Sequence, residues 1–154
     1  MMQTFLPYVS IKDSLHSLDD KRLGKQRVEC LQILNTLDPD HDSSGWKNHP
    51  AVKMWRGYEG YLALYALTCC EAWAIRGMQN RGFDKPYSNA KTEPKIRAYV
   101  NKYTDMFGAD VPPWWYDNRI HRSHQSNLLR KNPEHYRSIF GPEVPDNLPY
   151  YWPV

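Results

Sequence analysis

From Asp19 to Leu37 the apolar positions recur with a helical period. At about 100° per residue Leu23, Cys30, Leu34 and Leu37 form one stripe, with Leu31 and Ile33 on its margins. The spacing predicts a core-facing helix, capped by Ser17 or Asp19 and stopped by Asp38-Pro39. Polar residues intrude on that face. Arg27 falls inside the sector bounded by Leu23, Leu31 and Leu34, while Arg22, Gln26 and Glu29 group along the opposite margin beside Ile33. A charge so placed costs free energy unless it is paired or faces a cleft, so two readings stay open: a structural ion-pair network, such as Arg27 with Asp20, or a functional cleft.

A polar loop over 41–49 follows, with the large apolar Trp46 inside it. Pro50 as a helix entry and Gly77 as an exit predict a second helix over 50–76. Its apolar residues, including Val52, Trp55, Leu62, Leu64, Ala66, Leu67 and Trp73, go far round the helix and mark it as central. Thr92-Glu93-Pro94 opens a third helix from Lys95 to about Phe107, with Ile96, Tyr99, Val100, Tyr103 and Phe107 read as core. After the aromatic turn Val111-Pro112-Pro113-Trp114-Trp115-Tyr116, Asp117 caps a fourth helix that reaches Lys131, and Asn132-Pro133 restarts a short turn through Phe140. The stretch from Gly141 to Val154 carries four prolines and Tyr150-Tyr151-Trp152, and reads as an extended strap. The expected class is all-α: a compact single-domain bundle over residues 1–154, around a long central helix, with an extended proline- and aromatic-rich C-terminal tail.

At 154 residues the chain is one ordinary domain, long enough to bury ~68–70% of its extended surface. A hydrophobic content of 41% with 24% charged residues suits a globular protein, and no run approaches the ~20 apolar residues that cross a bilayer. Met1-Met2-Gln3-Thr4-Phe5-Leu6-Pro7 lacks the pattern of a signal peptide, so a cytoplasmic location with no membrane partner is expected. The three cysteines have no metal-site or disulfide spacing and read as core thiols. A net charge of +3 identifies no partner by itself, but its distribution changes the picture. Lys21, Arg22, Lys25 and Arg27 make one basic group; Arg119, Arg122, Arg130, Lys131 and Arg137 make another, with histidines and aromatics interleaved. Six Trp and eleven Tyr supply stacking surface beside those charges, as contact with phosphates and bases requires.

His121-Arg122-Ser123-His124-Gln125-Ser126-Asn127 is dense in hydrogen-bonding groups. His121 and His124 share a helix face, but no acidic third ligand follows at suitable spacing, so phosphate or sugar contact is expected of this run and no metal. His49 and Trp55 flank the start of the second helix, where free N–H groups favour an anion; the plainer reading of His49 is a cap. No Gly-x-Ser-x-Gly turn, Walker loop or glycine-rich dinucleotide motif is present, and no cofactor is expected. Of the carboxylates Asp19, Asp20, Glu29 and Glu59, Asp20 and Glu29 are preferred as catalytic groups because arginines surround them.

In three places the chain resembles the pyrimidine-dimer DNA glycosylases of the phage endonuclease V type. Leu18 followed by Arg27-Val28 matches the family's leucine and arginine-valine pair, and Ala51 to Gly77, with Val52, Met54-Trp55, Tyr61-Leu62 and Arg76-Gly77, is similar to its central helix. Asn132-Pro133-Glu134-His135-Tyr136-Arg137 looks like its C-terminal segment that meets DNA. The chain looks closer still to a divergent bacterial and phage branch of that family with very similar Leu-Asp-Asp-x-Arg-Leu-Gly-Lys-Gln-Arg-Val-Glu and Ser-Asn-Leu-Leu-Arg-Lys-x-Pro-Glu-His-Tyr runs. The resemblance implies a compact all-α enzyme that cuts the glycosidic bond of a damaged or modified pyrimidine. In the family an N-terminal amine attacks the sugar, a glutamate on the first helix assists, and a Schiff base permits strand cleavage, without a metal.

Two departures shape the expectation. By the Arg27-Val28 register Gly24 stands where the family has its glutamate, so Glu29 or Asp20 must act from another turn; Gln3 stands opposite the family's small N-terminal residue. The expected site therefore has Glu29 and Asp20 as carboxylates, with nucleic acid held by Arg22, Lys25, Gln26, Arg27, His49, Trp55, Arg122, His124, Asn127, Arg130, Lys131 and Tyr136. The partner is damaged or modified duplex DNA. The competing reading is a non-enzymatic pocket that binds a small nucleotide or modified nucleoside with the same groups.

Overall fold

The computed structural model describes residues 2–41 and 45–154; Met1 and residues 42–44 of the predicted polar loop lie outside the described residues. The described residues form α1 (Ile11–Ser17), α2 (Asp20–Leu37), α3 (Pro50–Lys53), α4 (Glu59–Arg81), α5 (Glu93–Tyr103), α6 (Asn118–Lys131) and α7 (Pro133–Phe140), with no named strand among them. The class is all-α. Helix α4 packs against α1, α2 and α5, while α7 folds back on α6. The seams are filled by Leu23, Cys30, Ile33 and Leu34 of α2, Leu62, Tyr65, Ala66, Cys69 and Cys70 of α4, and Ile96 of α5. All three cysteines are buried and free, and no described helix is long and apolar enough to cross a membrane.

Several predicted boundaries need correction. The helix expected over 50–76 is two elements: α3 ends at Lys53, the chain turns through Gly57 at φ +90°, and α4 begins only at Glu59. Gly57 breaks the run because its left-handed backbone cannot continue a right-handed helix. Nor does Gly77 end α4, which runs on to Arg81 and stops at Gly82, φ +124°. Gly77 instead lets the 86–87 backbone approach, since a Cβ there would lie 2.1 Å from Tyr87 N. Helix α5 stops at Tyr103, short of the expected Phe107; Thr104 Oγ1 donates to Val100 O, and Phe107, expected in the core, is 89% exposed on a turn closed by Gly108. The seven-residue α1, capped by Ser10 Oγ on Asp13 N, was not anticipated.

Helices α2, α6 and α7 have the expected ends. Asp117 accepts from Arg119 N at the start of α6, and Asn132 from His135 N at the start of α7. From Gly141 onward the chain has no helix or strand, and it lies along α6 through side-chain anchors: Ser126 Oγ accepts from Leu148 N, Ser123 Oγ accepts from Tyr151 N, and Arg130 donates to Asp146 O.

The feature that positions the site is the stretch from Met2 to Leu6. It is extended yet almost wholly buried, so its peptide groups need partners that no helix or sheet provides. Side chains supply them. Gln26 acts as a peptide mimic, with Oε1 accepting from Phe5 N at 2.8 Å and Nε2 donating to Gln3 O at 2.6 Å. Tyr65 donates to Phe5 O, His124 Nδ1 accepts from Leu6 N at 2.8 Å, and His121 Nδ1 meets Leu6 O at 2.7 Å. Trp55 Nε1 donates to Thr4 Oγ1 at 3.0 Å.

Candidate active site

Glu29 lies on α2 where that helix meets the buried segment. Its Oε2 accepts from Gln3 N at 3.3 Å and its Oε1 is 3.8 Å from Lys25 Nζ, one turn earlier. The residue is 7% exposed. Burial pushes the Glu29 carboxyl up, and the Gln3 N–H, Lys25 and Lys131 oppose that shift without cancelling it.

Cations and aromatics from three parts of the chain lie on this side of the molecule. Partial burial pushes the Lys131 ammonium down, as do the nearby charges of Arg22, Lys25 and Arg130, while Glu29 works in the opposite direction. Tyr150 senses Arg130, Glu29 and Arg22, and its phenol is pushed up to about 12, chiefly by burial. Tyr150 sits beside Trp152 at 5.5 Å between ring centroids, and Trp152 meets the His49 ring edge-on at 6.0 Å. The start of the chain, α2, the end of α6 and the tail thus converge on Glu29. Gln3, Tyr150 and Trp152 were missed as site residues; the signals were the register that sets Gln3 opposite the family's N-terminal residue and the tail's aromatic run, which read as packing.

Other expected site residues have different work. Asp20 projects from the opposite side of α2, since its separation from Glu29 is about half a turn at 100° per residue. There it pairs with Arg76 at 2.7 Å and accepts from Asn80, so it cannot share a reacting atom with Glu29. Arg27 does not pair with Asp20: it donates to Ser88 O, Asn89 Oδ1 and Thr92 Oγ1, and its guanidinium lies over Trp73 at 5.2 Å. This is a structural clamp on the loop before α5. Trp55 is fully buried against Trp114 and Trp115 and offers no face to nucleic acid.

His124 is also fully buried, and its imidazole is pushed down to about 3 by burial and by His121. Because Nδ1 accepts from Leu6 N, the ring is neutral with its proton on Nε2, and it holds no phosphate. Asn127 donates to Ser123 O and Leu148 O, and Gln26 is committed to Gln3 and Phe5. Tyr136 is buried and donates to Asp19 Oδ1 at 2.6 Å, in a cluster with Arg22 and Asn132. Arg122 is exposed, but about half a turn round α6 from Lys131, away from these cations. His49 is the cap of α3, accepting from Ala51 N, and burial pushes its imidazole down. Of the expected binders, Lys25 and Lys131 act on Glu29 directly; Arg22, paired with Asp19, and Arg130, bonded to Asn127 and Asp146 O, reach the site through Lys131 and Tyr150, and His49 joins through Trp152.

Gly24 explains why the carboxylate cannot come from the family's register. A Cβ at Gly24 would lie 2.8 Å from Trp73 Cη2, and Trp73 is held by stacking on Tyr87 at 4.3 Å. Gly24→Glu is therefore expected to lower stability by about 1–3 kcal/mol in urea unfolding, the overpacking outweighing the ~1 kcal/mol of helix propensity gained.

The family model described as pyrimidine dimer DNA glycosylase matches residues 2–86. Comparison with curated proteins and with solved structures gives no significant match. The matched stretch takes in the buried segment, Glu29 and α4, while α6, α7 and the tail lie beyond it. Matched over more than half of its length, the chain belongs to the pyrimidine dimer DNA glycosylase family.

Proposed function

We propose that the protein is a DNA glycosylase that releases a damaged or modified pyrimidine, with residues 1–154 acting as one all-α domain built round α4 and strapped by its tail. Glu29 stabilises the cationic sugar that forms as the glycosidic bond breaks. Arg22, Lys25, Arg130 and Lys131 take the phosphates, and Tyr150 and Trp152 offer rings to an unstacked nucleotide. The observation that carries this reading is a carboxylate more than nine-tenths buried, its pKa raised, beside Lys25 and Lys131. A solvated charge cluster on a helix face would have no reason to bury this acid. The chemistry needs only this carboxylate and water, and no cofactor is assigned.

The test is to incubate the protein with duplex DNA carrying one cyclobutane pyrimidine dimer, and separately one 5-hydroxyuracil, scoring abasic sites and borohydride-trapped adducts. Abasic sites without an adduct are expected from hydrolytic release; an adduct as well would add an amine-dependent lyase step. Affinity should fall with salt at a log–log slope of about −3 to −4, set by the four cations. A shallow slope with no abasic sites overturns the reading in favour of a small-nucleotide pocket.

A further inference from the structure

One buried donor at this site is unaccounted for. Gln3 is 1% exposed, its Oε1 accepts from Thr4 N at 2.9 Å, its carbonyl accepts from Gln26, and its backbone N–H donates to Glu29. Its Nε2, however, has no acceptor among the described residues. A buried amide donor left without a partner costs free energy, and native structures keep such groups mainly where something else supplies the acceptor. The other orphan, His124 Nε2, has aromatic neighbours on two sides, Phe5 and Tyr150, each in a T-shaped arrangement. Gln3 Nε2 belongs to the residue whose main chain holds the carboxylate.

We infer that the Gln3 side-chain amide donates to O2 of the departing pyrimidine and so stabilises it as a leaving group. This rests on the glycosylase reading above and says which atom of the base is recognised. Glu29 must act at the sugar C1′. In a pyrimidine nucleotide C1′ is bonded to N1, and the carbonyl next to N1 is C2=O2, so O2 is the base acceptor nearest any group that serves C1′. The C1′–N1 bond breaks with its electron pair passing to N1 and, by delocalisation, to O2, where the amide donor meets the growing negative charge. Water supplies the hydroxyl that ends on C1′, and its remaining proton ends on the departing base, so that the products are an abasic site and a neutral pyrimidine, free for a single modified base and still joined to its neighbour in a cyclobutane dimer. Because O2 is common to every pyrimidine, damaged or not, Gln3 favours the base class and leaves selection of the lesion to other contacts.

The test compares wild type, Gln3→Met and Gln3→Glu, each checked for a native melting transition. Met removes the donor without adding charge, at the loss of the Thr4 N acceptor; Glu keeps an oxygen for Thr4 N and replaces the donor with a negatively charged acceptor, so the two variants share only the loss of the donor. Single-turnover release from the dimer duplex should fall about 10²–10³-fold in both variants. Affinity for a duplex with a tetrahydrofuran abasic analogue, which has no base and no O2, should change by less than about twofold. Release close to the wild-type rate in either folded variant overturns the inference, as does an equal loss of release and of analogue affinity, which marks a structural role. A wild type that releases no base overturns the glycosylase reading and this inference with it.

Discussion

Glu29→Gln is expected to slow base release by about 10²–10⁴-fold while leaving affinity for the duplex almost unchanged. The substitution is nearly isosteric, and the glutamine carbonyl can still accept from Gln3 N, so the buried segment keeps its anchor. What disappears is the negative charge proposed to face the sugar, whereas the cations proposed to meet phosphate are untouched. The same charge carries a cost in the folded state. A carboxyl whose folded pKa lies above its unfolded value contributes stability that is fully present below the unfolded value and is lost as pH rises through the folded one. At neutral pH, therefore, wild type bears a penalty that the glutamine variant escapes. The variant should melt at the same temperature or higher at pH 7, with the difference shifting in favour of wild type as pH falls towards 4. Activity should run the other way, rising with pH through the raised Glu29 pKa, since the ionised form does the work. Equal loss of binding and turnover, or a variant that melts lower at pH 7, would remove Glu29 from this role.

Trp55→Ala is expected to cost about 3–5 kcal/mol of folding stability, measured as a shift in the urea midpoint. Against a total of about 5–15 kcal/mol for a domain, that is enough to unfold much of the protein at physiological temperature. The ring is fully buried at 4.9 Å from Trp114 and 6.3 Å from Trp115, so its removal leaves a void among side chains that cannot all close over it. It also orphans Thr4 Oγ1, next to Gln3. Trp55→Phe fills most of the space and should lose much less stability. Had Trp55 been a stacking platform for bases, alanine would leave the melting temperature alone and weaken DNA binding.

How far the fold was legible depended on whether a residue's partner leaves a pattern. Helices α2, α6 and α7 were readable because their cap residues stand where expected: Asp117 and Asn132 do cap the helices that follow them. The break after Lys53 was not, because Val52, Met54 and Trp55 are buried at spacings a helix would also give, and nothing but Gly57 marks the turn. The largest misreadings were polar. Gln26, His124 and Asn127 look like ligand-binding groups when they interrupt a core face, yet each bonds the peptide groups of an extended stretch, and extended backbone has no sequence signature. Asp20 was paired with Glu29 because both neighbour arginines, although their spacing alone puts them on opposite sides of the helix. Gly24 looked like a lost glutamate; Trp73 occupies its space.

The anchoring of both extended stretches on α6 bears on how the protein is made. Leu6 is held by His121 and His124, and Leu148 and Tyr151 by Ser126 and Ser123, so contacts spanning most of the chain meet on one helix. During synthesis α2 and α4 leave the ribosome early and can pair, but Met2 to Leu6 has no α6 to lie against until residues 118–131 follow. Tyr150 and Trp152 arrive later still. A nascent chain halted before residue 141 would hold the carboxylate without Tyr150 and Trp152, so the proposed binding of nucleic acid should appear only once residues 141–152 have followed, rather than grow with length.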